Sequence, residues 1–128
     1  MYDIEVDGTS YPLKFGMAFL RSMDNRVLAP IEGSAGQTKG IGFRQAVVDL
    51  IDSRPDTLVE VIYTANKTEK PKMNKHDLEA YLEDDDTDID ALFEQVLDFL
   101  EGSNVTRRAT TEVRTLVAQA LKESGLTV

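Results

Sequence analysis

Six carboxylates stand between Glu83 and Asp90, in the run Glu83-Asp84-Asp85-Asp86-Thr87-Asp88-Ile89-Asp90, and no lysine or arginine interrupts them. Such a run raises two chemistries, a calcium site and paired-carboxylate catalysis. A calcium loop of the EF-hand kind needs oxygen ligands at positions 1, 3 and 5, glycine at 6 and glutamate at 12. Counting from Asp84 puts Ile89 at the glycine position and Gln95 at the glutamate. Counting from Asp86 puts Ala91 and Leu97 there. Both registers fail at the residues that shape and close the loop. Acid–base catalysis needs two carboxyls whose surroundings push their pKa values apart. Adjacent solvated carboxylates have no cause for such a split.

The remaining chemistry is thin. There is no cysteine, so disulfides and thiolate nucleophiles are excluded. His76 is the single histidine and falls at the polar start of a helix, which reads as a surface position. Lys39 sits in a glycine-rich stretch, Gly33 to Gly42, that invites a phosphate-loop reading. That motif needs Gly-Lys-Ser/Thr, whereas Lys39 is followed by Gly40. The dinucleotide pattern fails too, because Gly40-Ile41-Gly42 reaches Gln45 where a glycine is wanted. No catalytic residue, metal ligand or cofactor is expected.

The acidic run has a structural reading. Thr87 can cap the helix that follows, with Asp90 at the capping-box position. Asp88 and Asp90 then sit in the first turn, where the helix dipole favours negative charge. Glu83 to Asp86 form a solvated connector between two helices. An acidic helix junction is the reading, and a docking surface for a basic partner is the alternative.

The net charge of −9 is localised. Residues 83–101 carry nine acidic and no basic side chains, whereas residues 1–82 carry 12 acidic and 10 basic. This field disfavours nucleic-acid phosphates. No apolar run approaches the ~18 residues of a membrane span. The start, Met1 to Gly8, has neither the basic nor the apolar part of a signal peptide.

The elements follow from periodicity. Ile4 and Val6, the turn chemistry of Asp7-Gly8-Thr9-Ser10, and Tyr11, Leu13 and Phe15 predict a hairpin, with Pro12 on an outer edge. Phe15, Phe19 and Met23 predict a short helix. Residues 30–42 read as a flexible loop. Phe43, Ala46, Val47, Leu50 and Ile51 form a helical stripe. Pro55 opens a segment that reads as helix or strand, with helix preferred. Asn74 is a strong N-cap, and Met73 can staple to Leu78. Ile89, Leu92, Phe93, Val96, Leu97 and Leu100 make the most complete apolar face, closed by Gly102. Val113, Leu116, Val117, Ala120 and Leu121 repeat it over 111–123. The fold class is α+β and mostly helical, an N-terminal β-hairpin packed on about five α-helices. One domain spans 1–128, with a C-terminal helical segment over 103–128 that Ser, Thr and Arg residues can leave mobile.

The order of these elements, with "GTSYPLKFG", "PDTLVEV", "LEAYLEDDDTDIDALFEQVL" and "SNVTRR", resembles the tail assembly chaperones of long-tailed phages infecting Gram-positive bacteria. The likeness covers most of residues 4–107. It implies a non-enzymatic protein of the host cytoplasm, absent from the finished tail. It implies binding to the tape measure protein, a long helical chain kept soluble until the tail tube assembles around it. The major tail protein and a second copy of the chain are further partners it admits. On this reading Val113, Leu116, Val117 and Leu121 are the partner-binding residues, and packing on the core is their alternative role. A virion adaptor such as a head–tail connector is the alternative function. The family also implies a −1 ribosomal frameshift near the gene's end. Ala120-Leu121-Lys122 can be encoded by a slippery run, which the codons themselves decide.

Overall fold

The computed structural model describes residues 2–125. The N-terminal hairpin pairs β1 (Tyr2–Val6) with β2 (Thr9–Leu13), Val6 opposite Thr9. Asp7 and Gly8 turn the chain at φ 50° and 82°. Those two positive angles are what a two-residue turn matched to strand twist requires. Ile4, Val6 and Leu13 are buried, so one face of the hairpin enters the core. Pro12 has no N–H to give, and its carbonyl accepts from the Asn66 side chain at 2.9 Å.

The helices are α1 (Met17–Asp24), α2 (Gly42–Ile51), α3 (Pro55–Asn66), α4 (Lys75–Glu83), α5 (Ile89–Gly102) and α6 (Arg107–Glu123). The ambiguous stretch after Pro55 is helical. Proline sits in its first turn, and Leu58, Val59, Val61, Ile62 and Ala65 are all buried. Burial on more than one side explains the mixed periodicity, since a helix covered all round loses its stripe.

Two expectations need correction. Residues 30–42 are not wholly loop: β3 (Leu28–Pro30) and β4 (Thr38–Gly40) form an antiparallel ladder, Leu28 opposite Gly40. Strands of three residues give too little alternation to read. The last helix starts at Arg107, not near residue 111. Thr106 is fully buried and its hydroxyl donates to the Leu100 carbonyl at 2.7 Å. Ser103 donates to the Phe15 carbonyl at 2.9 Å. The Ser/Thr-rich connector therefore ties α5, α6 and the chain after β2 together. Residues 126–128, the end of the expected C-terminal segment, lie outside the described residues.

A line of rings crosses the core. Phe99, Tyr2, Phe15, Phe19 and Phe43 follow one another at centroid spacings of 4.7, 5.8, 5.1 and 6.0 Å. These spacings suit tilted and edge-to-face pairs. They link α5, the hairpin, α1 and α2.

Asn66 is 2% exposed and joins three segments. It donates to the carbonyls of Pro12 and Pro71 and accepts from the Met73 N–H. Both N–H groups and the oxygen of this buried amide thereby have a partner. Nothing in the sequence pattern singles it out.

Candidate functional site

The acidic run is a junction. Glu83 ends α4. Asp84 accepts from the Asp86 N–H at 2.9 Å, and Asp88 caps α5 by accepting from the Ala91 N–H at 3.0 Å. The expected cap, Thr87, has another role: its hydroxyl donates to the Tyr81 carbonyl at the end of α4. A helix end leaves carbonyls without partners, and Thr87 satisfies one of them. Among the described residues no group of three or more His, Cys, Asp or Glu is placed to hold a metal ion. His76 lies exposed in the first turn of α4.

The glycine-rich stretch is not a phosphate cradle. The N-terminus of α2, where such a loop would hold an anion, is occupied by the protein's own carboxylate. Asp24 accepts from the Phe43 N–H at 3.0 Å. Gly40 and Gly42 are needed because the end of α1 lies against them. A Cβ on either would fall within 2.8 Å of a backbone oxygen of residues 23–24.

Glu60 on α3 joins Arg26 at 2.9 Å and also pairs with Lys75. Burial works against its charge, but the hydrogen bonds from Lys75 and Arg26 outweigh it and hold the carboxyl below the usual glutamate range. A folded pKa below the unfolded one gives stability that is complete above the unfolded value and lost as pH falls through the folded one. The urea midpoint of the native protein should therefore exceed that of Glu60→Gln at pH 7. The gap should narrow as pH drops below about 4.3. A gap that stays constant to pH 3 would remove Glu60 from the acid response.

An open apolar groove lies where α6 meets α2 and α5. Ile51, Leu97, Val117 and Leu121 line a groove of about 150 Å³, with Glu94 and Arg114 at its rim. The four residues expected to meet a partner are divided there. Val113 is 5% exposed and belongs to the core. Val117 packs partly on the core, and Leu121 is half-buried; both line the groove. Leu116 is 61% exposed and outside it. The 3.6-residue period explains the division: 113, 117 and 121 fall on one side and 116 turns away.

Ion pairs hold α6 in place. Arg44 on α2 meets Glu112 at 2.9 Å. Arg114 reaches Glu94 at 3.4 Å, Asp98 at 3.7 Å and Glu101 at 3.1 Å. Arg114 passed unnoticed in the sequence. Its signal is its place between Val113 and Val117, a cation beside an apolar stripe in a chain whose preceding helix has none.

Fold and groove together describe a small, mostly helical α+β protein with an apolar cleft between helices on its surface, and among the described residues no helix is long and apolar enough to cross a membrane. The family model described as phage tail assembly chaperone protein, TAC, matches residues 3–114, and the chain belongs to that family. The match ends within α6, so Val117 and Leu121 lie beyond it. No curated protein and no solved structure matches the chain significantly.

Proposed function

We propose that this chaperone binds the tape measure protein in the host cytoplasm, keeps it soluble while the tail assembles, and leaves before the tail is finished. Family membership carries the reading. The groove supports it, because an apolar cleft between helices is the shape that receives one face of an amphipathic helix. Val117, Ala118 and Leu121 are apolar groove residues of α6, and Leu116 is exposed on the same helix. No reaction is assigned to the protein. A frameshift at residues 120–122 would keep α6 almost whole and replace Glu123 onward. The extension would then be tethered close to the bound client.

Co-expression with the tape measure protein tests the proposal. The soluble fraction of that protein should rise several-fold over expression alone, and Leu121→Asp should cancel most of the gain. Removing residues 111–128 is a poorer probe, since it takes Val113 from the core and Glu112 and Arg114 from their ion pairs. No gain in solubility would overturn the proposal. Recovery of the chain in purified virions would favour a retained adaptor instead.

A further inference from the structure

We propose that the groove between α2, α5 and α6 takes an amphipathic helix that carries lysine or arginine beside its apolar stripe. The proposal rests on the reading that this groove is the client site. Ile51, Val117 and Leu121, together with the buried Leu97, make the apolar part of the lining aliphatic, which suits aliphatic side chains spaced three and four residues apart. What flanks that surface decides the partner's charge. Along α5, Asp90, Glu94, Asp98 and Glu101 follow one another at steps of four, four and three, which places them on one helical face. Glu94 stands at the groove rim, and its side chain and that of Asp98 are 69% and 72% exposed.

Like charges four apart on a helix oppose its formation by roughly 0.2–0.5 kcal/mol per pair. Such a stripe is therefore a cost to the free protein. Arg114 offsets part of it, but one guanidinium faces three carboxylates. The segment that precedes the stripe adds Glu83, Asp84, Asp85, Asp86 and Asp88, and no basic residue occurs from 83 to 101. Within the groove lining Glu94 is paired with Arg114, but α5 beside it keeps an acidic excess that this one cation does not cancel. A helix with acidic flanks would bring like charge against it, whereas one with basic flanks relieves it. Complementarity of this kind sets which partner is accepted and how fast it arrives.

Three synthetic peptides of roughly 20 residues, long enough to form helix, test this on the full chain. One carries a leucine stripe flanked by lysines. The second has the same stripe flanked by glutamates. The third keeps the lysines with the leucines scrambled. Fluorescence anisotropy should show the lysine-flanked peptide binding at least about tenfold tighter than either other. The preference should shrink at high salt. Glu94→Gln combined with Asp98→Gln should bring the first two peptides close together, and Leu121→Asp should abolish binding, each in protein with native circular dichroism. Equal binding of the lysine and glutamate peptides would overturn the proposal, as would equal binding of the scrambled peptide or no binding at all. None of these failures touches the solubility of the co-expressed tape measure protein, which is read separately.

Discussion

Truncating Phe93 to alanine is expected to leave most of the protein unfolded or aggregated. Phe93 is 4% exposed on α5, between the buried Leu92 and Val96. The helix carries five buried residues over 14 positions, so its inner face is committed to the core. Removing a buried ring forfeits its transfer free energy and leaves a cavity that the surroundings fill only in part. Together these cost about 3–5 kcal/mol. A whole protein of this kind is stable by only ~5–15 kcal/mol. The thermal midpoint should fall by roughly 10–20 °C, or the transition should vanish. Leu116→Ala is the matching control. Its side chain is mostly exposed, so its change should stay within about 0.5 kcal/mol. A Phe93→Ala protein with the native midpoint would place that face of α5 outside the core.

That stripe was plain in the sequence because α5 is covered on one side, and a one-sided helix prints its period on the chain. The hairpin was as plain, since turn residues stand between two alternating stretches, although Thr9 and Ser10 of the expected turn belong to β2. The reading of 30–42 failed for the opposite reason. Its one ladder is three residues long and Leu28 is 58% exposed, so neither burial nor alternation marked it. Thr87 serves the end of α4 and not the start of α5. Its type suits both a cap for α5 and a partner for the last carbonyls of α4, and only the path of the chain decides between them. The groove was half legible. Val117 and Leu121 share a face by their spacing on α6, but Ile51 and Leu97 come from other helices, and Leu97, 2% exposed, belongs to the core as its stripe predicts. Asn66 and Asp24 act over separations of 54 and 19 residues, beyond the reach of any local pattern.

Gly42→Ala is expected to destabilise the protein by about 3 kcal/mol, although helix propensity alone argues for a gain. Alanine is the better helix former by ~1 kcal/mol, and Gly42 is the first residue of α2. Position overrides propensity here. The end of α1 passes so close that an added Cβ would lie 1.8 Å from the Met23 carbonyl oxygen and 3.2 Å from that of Asp24. Both are backbone atoms, so no rotamer change relieves the clash. One helix must move, and the contacts at stake are Phe19 against Phe43 and the Asp24 carboxylate on the Phe43 N–H. Overpacking of this kind costs about 1–3 kcal/mol and sometimes more, and loss of the cap adds about 1. Gly16→Ala is the contrast, because its added Cβ would meet only the flexible Lys14 side chain at 3.4 Å. Denaturant midpoints should separate the two variants widely, with Gly16→Ala near the native protein. An equal or raised midpoint for Gly42→Ala would mean that α1 and α2 stand further apart than this packing requires. The glycines of that stretch would then owe their place to something other than the close approach of two helices.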